Sequence, residues 1–291
     1  MTRLDLLLLL MIAIWGTNFS LVKVAMRDFP ELAFNAARLV VASTVFLAAM
    51  YFTHQAPTRV SRRDWTRLII LGIVGTCLYQ LCFLGGVKRT SVGNSSLITG
   101  SSPIVIALAA AVMGHEHIRP FRWMGVGLAM LGLYFVVGHR VQLTPESRLG
   151  DLLMILSMLC WATYSVAAQP LLKVHSPLIV TGVSFISGSV LYVLVTLPTL
   201  VTISWAAISV SSWIAMLVSG TLALSLSYLI WYTAIQRLGT TRTSVYSYLT
   251  PVVAMLVATV WLGEPIESNQ VFGAGTILAG LVLTRLAHGQ D

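Results

Sequence analysis

The chain has 291 residues, 57% of them hydrophobic and only 10% charged, with a formal net charge of +8. Soluble domains carry about 25% charged residues, so composition argues against a water-soluble globular fold and against reading the positive charge as a nucleic-acid surface. Cys77, Cys82 and Cys160 lie in apolar stretches without disulfide or zinc spacing, and are expected to be reduced and buried.

Uncharged runs of about 17–25 residues recur along the chain, and about 20 apolar residues span a hydrocarbon core as a helix. They predict ten helices, at roughly 5–24, 31–53, 66–87, 91–114, 121–138, 151–170, 177–197, 211–233, 241–262 and 269–285. Backbone polar groups in lipid must be satisfied within the segment, which makes helices the default. The runs do not alternate as barrel strands would.

The first helix resembles a signal peptide in its apolar run, but it lacks a small-residue cleavage site and carries Trp15, Asn18 and Lys23. The second contains Arg38, the only cation well inside a span. The stretch RVSRRDWTR (59–67) leads into the third helix, where Tyr79 and Gln80 fall mid-span. The fourth opens on GNSSLITGSSP (93–103), unusually polar for a span, and the glycine-spaced fifth follows it. After a linker at 139–150, the sixth helix carries Trp161 and Tyr164, the eighth Tyr228, and the ninth the hydroxyl-rich TSVYSYLTP (243–251).

The second half repeats the first. At a constant offset of 148, Trp65 pairs with Trp213, Gly72 with Gly220, Arg89 with Arg237, Pro103 with Pro251 and Glu116 with Glu264. Gly125, Gly127 and Gly132 likewise pair with Gly273, Gly275 and Gly280, while AIWGTNFS (13–20) meets LCWATYSV (159–166) at offset 146. Five helices is an odd number, so the second copy enters the membrane from the opposite side. The fold expected is an all-α integral membrane protein of ten transmembrane helices, built as two inverted five-helix repeats. Secondary transporters use this architecture, with the substrate site near the midplane between the repeats. With the N-terminus cytoplasmic, eleven Lys and Arg residues flank the inner ends of the spans and six the outer. Both termini are therefore placed inside.

These motifs together resemble the EamA family of the drug/metabolite transporter superfamily. They are WGTNF and WATYS early in each half, the polar segments ending in Pro103 and Pro251, the GHE and GEP turns at Glu116 and Glu264, and the glycine-rich closing helices. The resemblance divides the chain into a first repeat at 1–138, a linker at 139–150, a second repeat at 151–286 and a cytoplasmic tail at 287–291. It implies a ten-helix carrier of the bacterial inner membrane, of a kind that usually exports amino acids or related small metabolites.

Candidate substrate-binding residues follow from polarity at depth. Ser95, Thr99 and Ser102 are spaced i, i+4, i+7, one narrow helical face at about 100° per residue. Thr243, Ser247 and Thr250 repeat that stripe, and Asn94 precedes the first copy. Each stripe lines a cavity or, as the alternative, only packs its helix closely with its hydroxyls bonded back to its own carbonyls. Pro103 and Pro251 are read as hinges that free the carbonyls of Thr99 and Ser247. Trp15 with Asn18 and Trp161 with Tyr164 lie about ten positions into their helices and are expected to face the same passage, with an aromatic belt at the interface as the alternative. Tyr79, Gln80 and Tyr228 fall mid-span and are expected to line it too. Arg38 suits bidentate capture of a carboxylate, with snorkelling or pairing with Glu31 as its alternatives.

No Asp, Glu or His lies near the centre of a predicted span. That pattern predicts a neutral, zwitterionic or weakly anionic small-molecule substrate and no proton relay through a central carboxylate. No cofactor, catalytic residue, metal or nucleic-acid partner is expected; the lipid bilayer is the expected surrounding, and no homodimer is predicted. The function read is a secondary transporter. A channel-like or structural membrane component is the alternative, and an intramembrane enzyme a more distant one, since it needs a nucleophile and base at depth.

Overall fold

Consecutive apolar side chains with almost no charge to solvate leave the backbone one way to satisfy itself, by hydrogen bonding along the segment. A computed structural model describes residues 2–57, 60–90, 98–114, 120–137, 145–262 and 268–286, and among these every regular element is helical. Helix α1 (Arg3–Ala25) opens on a reciprocal cap, with the Thr2 N–H on Asp5 Oδ2 at 2.8 Å and the Asp5 N–H on Thr2 Oγ1 at 3.2 Å. Helix α2 (Glu31–Phe52) follows Pro30. Helix α3 (Arg62–Val87) is capped by Ser61 and contains a π-helical stretch at Ile73–Leu78.

Helices α4 (Ser102–Val112) and α5 (Pro120–Val137) close the first half. The second comprises α6 (Pro145–Ala167), α7 (Pro177–Leu200) and α8 (Val210–Leu238), the last with a π-helical stretch at Ser219–Leu226. Gly239, at φ 84°, makes the turn into α9. Helix α9 is built in three pieces, an α-turn at Thr240–Val245, a 3-10 turn at Tyr246–Leu249 and an α-helix at Thr250–Leu262. Helix α10 spans Ser268–Leu286.

Among the described residues, seven helices are long and apolar enough to cross a membrane, while α4 and the apolar part of α10, Val271–Gly280, are shorter. The expected helix at 91–114 is represented by its second part, because 91–97 lie outside the described residues. Two features carry no signature in the hydropathy pattern. The π-helical stretches begin at Ile73 and Ser219, close to equivalent positions of the two halves, and each follows or spans one of the paired glycines Gly72 and Gly220.

The halves interlock. Helix α1 packs on α8 and α9, and α6 correspondingly packs on α3 and α4. Helix α3 lies against α7 as α8 lies against α2, while α2 meets α7 and α5 meets α10. Exchanging the halves maps this contact set onto itself. Glycines permit close crossings, as between the closing helices: a Cβ on Gly132 would stand 2.7 Å from the carbonyl of Gly273, and one on Gly280 2.7 Å from that of Gly125. The glycine-rich closing helices thus pack closely on each other, α5 on α10, within one chain.

Candidate functional site

Helix α2 carries Asn35 and Arg38 three residues apart, on one face, and buries both. The Arg38 guanidinium donates from Nη2 to Asn35 Oδ1 at 2.7 Å and from Nη1 to Ser219 Oγ at 3.1 Å. Ser219 opens the π-helical stretch of α8, and its hydroxyl donates onward to Asn18 Oδ1 of α1 at 2.6 Å. The cation also rests 4.9 Å from the centroid of the Phe34 ring. One polar chain thus ties α1 and α2 of the first half to α8 of the second.

All of these partners are neutral. Glu31, the carboxylate nearest in sequence, instead pairs with Lys88 at 3.7 Å, so the Glu31 alternative for Arg38 does not hold. No other carboxylate among the described residues makes an ion pair with Arg38. At 8% exposure Arg38 does not snorkel either. Several donors stand unsatisfied and buried: Arg38 Nε, Asn35 Nδ2 and the Thr76 hydroxyl. The Tyr192 hydroxyl sits beside Asn35 without a hydrogen bond of good geometry. Burying a charge without an opposite partner costs several kcal/mol. A fold that retains one here leaves room, electrostatically, for an anionic group.

Around this centre stands an aromatic cluster drawn from four helices. Trp15 of α1 lies 6.0 Å from Trp161 of α6 and 5.6 Å from Trp231 of α8, between ring centroids. Trp161 stands 5.5 Å from Tyr79 of α3 and 5.4 Å from Tyr228 of α8. Tyr79 and Tyr228, with Tyr192, are also close enough to Arg38 to interact with it electrostatically. The Trp15 indole donates to the carbonyl of Ala223, inside the π-helical stretch of α8, at 3.0 Å.

Others in the cluster are committed to structure. Tyr232 donates to the Tyr164 carbonyl at 2.7 Å, Trp231 to Ser165 Oγ at 3.2 Å, and the Tyr164 hydroxyl meets Ser184 Oγ at 3.3 Å. Tyr164 is fully buried against Gly75, where a Cβ would stand 1.9 Å from its ring. By contrast, no hydrogen bond among the described residues engages the Tyr79 or Tyr228 hydroxyl, the Gln80 amide or the Trp161 indole, all but Tyr79 buried. Of these, the Tyr79 and Tyr228 rings stand close to Arg38, so free hydroxyls accompany the cation.

The hydroxyl stripes behave differently. Asn94 and Ser95 lie outside the described residues; Thr99 is half-buried and Ser102 buried. In the second copy Thr243 donates to its own helix at the Gly239 carbonyl, 2.8 Å away, and Ser247 to that of Ser244 at 2.6 Å. Only Thr250 of that copy keeps a buried hydroxyl without a partner. Pro103 stands in the first turn of α4, and Pro251 in that of the last α-helical piece of α9. The chain before each is already broken, by a turn at Ser101 and by the 3-10 turn. Each proline thus begins a helix instead of kinking a continuous one, since a missing N–H is tolerated in a first turn.

The two halves are also clasped at their ends. In the α1–α2 loop, Asp28 accepts the Ser209 N–H at 3.2 Å and the Ser212 hydroxyl at 2.7 Å, as well as the hydroxyl of Ser209, the N-cap of α8. In the α6–α7 connection, His175 Nε2 reaches Asp64 Oδ2 at 3.2 Å, in the capped first turn of α3. Ser61 and Ser209, the two caps, are 148 positions apart, so these are repeat-related clasps.

Hydrogen bonds from Ser209 and Ser212 hold the Asp28 carboxyl below its ordinary value of 3.8. A depressed carboxyl stabilises the fold above its unfolded pKa and loses that contribution as pH falls through its lower folded value. Asp28→Asn should therefore lower the melting temperature by the same amount from pH 8 to pH 5. The difference from wild type should shrink only in strong acid; a difference already gone at pH 5 would contradict the clasp.

Asn35, Ser219, Tyr192 and Thr76 were not among the residues singled out from the sequence. Asn35 had a legible signal, a second polar side chain one turn from Arg38. Ser219, Tyr192 and Thr76 had none, because each sits in a span where one hydroxyl among apolar neighbours says nothing of what it faces.

Comparison with known proteins gives four findings. A family model described as "EamA-like transporter family" matches residues 2–138 and again 148–286. An "Uncharacterized transporter YyaM" of Bacillus subtilis is 29% identical, over 92% of this chain and 88% of that protein. A "Probable terminal-alkyne amino-acid exporter" of Streptantibioticus cattleyicolor is 26% identical, over 95% and 91% respectively. A solved crystal structure, 20% identical, superposes with a TM-score of 0.85 over 99% of this chain and 98% of that one, which speaks to fold alone.

Proposed function

Since this chain belongs to the EamA-like transporter family, each half matching the family once, we propose that it is a secondary carrier exporting a small amino-acid-like solute by alternating access. The observation that carries the reading is Arg38, a buried cation held only by neutral groups where the two halves meet. A solute carboxylate supplies the missing charge, and the guanidinium fork with its free Nε offers directional donors for it. The Trp15, Trp161, Tyr79 and Tyr228 rings stand beside it for the ammonium group or apolar body of a zwitterion. The exporter of Streptantibioticus cattleyicolor, with an amino acid in its name, supports that substrate class.

The architecture we propose is ten membrane-crossing helices in two five-helix repeats of opposite orientation. Contacts that map onto themselves when the halves are exchanged support it. Rocking of the repeats exposes Arg38 to one side and then the other, with the Asp28 and His175 clasps opening in turn. We place the carrier in a bacterial inner membrane with both termini cytoplasmic, as the bias of Lys and Arg supports.

Counterflow tests this reading. Proteoliposomes loaded with one unlabelled amino acid at a time should accumulate the same labelled compound transiently and saturably. Non-saturable leak would indicate a channel, and no flux across amino acids and related carboxylates would sink the substrate class.

A further inference from the structure

Away from the polar centre, the outer surface carries a groove of about 430 Å³ between the end of α2, the start of α3 and the middle of α7. That is within the roughly 300–1,000 Å³ of small-molecule sites. Leu47, Tyr51, Trp65, Ile69 and Ile186 form its walls over a buried floor of Met50 and Val183. Its two lining residues that are neither apolar nor aromatic are already engaged: Gln55 Oε1 accepts the Ser176 hydroxyl at 2.5 Å, and Ser187 Oγ donates to the Ser184 carbonyl at 2.9 Å. The groove therefore offers hydrocarbon to whatever fills it.

Charge gathers at one end. Arg62, Trp65 and Ile69 share a face of α3, lying within about 60° of one another at about 100° per residue. Arg62 thus stands one turn above Trp65 and two above Ile69, both of which line the groove, and Arg63 is next to it. Helical side chains lean toward the N-terminus, which carries both guanidinium groups out toward the membrane surface. Arg67 is engaged with Asp64 at 3.5 Å, whereas among the described residues neither Arg62 nor Arg63 makes an ion pair. Trp65, 36% exposed, suits the headgroup level.

An apolar slot with two unpaired cations at its membrane-surface end is complementary to one kind of molecule. We propose that the groove is a binding site for an anionic phospholipid, one acyl chain lying between α2, α3 and α7 and the phosphate resting on Arg62 and Arg63. A zwitterionic lipid fits the slot but brings no net charge to the arginines. The site stands apart from Arg38 and does not rest on the transport reading.

The test is the melting temperature of the full chain in dodecyl maltoside micelles doped with dioleoyl phosphatidylglycerol or dioleoyl phosphatidylcholine at equal mole fraction. Phosphatidylglycerol should raise it saturably and phosphatidylcholine should not. The pair Arg62→Gln and Arg63→Gln should weaken phosphatidylglycerol roughly fivefold per arginine. Ile186→Trp, which fills the slot, should abolish the response with both arginines intact. Each variant should melt like wild type without lipid. Equal stabilisation by the two lipids would overturn the proposal, as would equal stabilisation by soluble glycerophosphate. So would a dimer in detergent that Ile186→Trp dissociates, which would make the groove a contact between copies.

Discussion

Arg38→Met should cut solute flux at least tenfold while leaving the purified protein folded and as heat-stable as wild type, or more so. The two halves of this expectation have one cause. A buried cation without a counter-ion is a cost to the fold, and replacing buried charged groups by apolar ones of similar volume is often neutral or stabilising by about 1–4 kcal/mol. The same cation is the feature that would hold a solute carboxylate. Losing one partner of a buried charged pair typically costs about 2–5 kcal/mol of binding, more than the 1.4 kcal/mol that corresponds to a tenfold change.

Arg38→Lys separates charge from geometry. It keeps the charge but loses the planar fork that donates to Asn35 and Ser219, so flux should fall between wild type and the methionine variant. Counterflow and thermal unfolding of the same preparations decide the matter. A methionine variant that transports normally would remove Arg38 from the binding site. One that unfolds would make the arginine a structural post joining α2 to α8.

Gly72→Ala and Gly188→Ala should each destabilise the protein severely, by about 3 kcal/mol or more, at the upper end of overpacking costs. A Cβ on Gly72 would stand 1.9 Å from the carbonyl oxygen of Ser184, and one on Gly188 2.1 Å from that of Gly72. Both obstacles are backbone, so no rotamer change relieves them and α3 must part from α7. Gly127→Ala and Gly275→Ala, with nothing within 4 Å of the added methyl, should instead be neutral or gain up to about 1 kcal/mol in helix propensity. Melting temperatures in one detergent compare the four. Equal effects would mean that the α3–α7 crossing is looser than its geometry states.

The comparison of glycines also shows where sequence reading stops. Gly125, Gly127, Gly132 and their partners look alike as a spaced series, yet Gly132 lies against backbone and Gly127 against nothing. Spacing places a residue on a helix; only the neighbouring helix says whether that face is met.

The same limit governs the site. Trp15, Trp161, Tyr79 and Tyr228 were legible as a group, because large amphipathic rings at mid-depth are unusual in a span, and they converge on one cluster. The stripes on α4 and α9 were as regular in spacing, but Thr243 and Ser247 bond back to their own helix. A hydroxyl can satisfy itself locally, so periodicity alone does not tell a lining residue from a packed one. An arginine cannot, so its burial has to be matched by something outside its helix. The network through Ser219 of α8 and Asn18 of α1 is that match, and it joins the first two helices to a residue 181 positions beyond Arg38.

By itself the sequence determined the helical membrane character, the duplication and the family, because each is written in linear quantities: the length of uncharged runs, the register of Trp, Pro, Gly and Arg between halves, and short motifs. The tertiary structure decided which polar groups meet. It set Arg38 among neutral partners, gave Glu31 to Lys88, began helices at Pro103 and Pro251, and opened π-helical turns beside the site. Those outcomes depend on how helices cross, and crossing is settled by steric fit between faces that a single sequence does not place opposite one another.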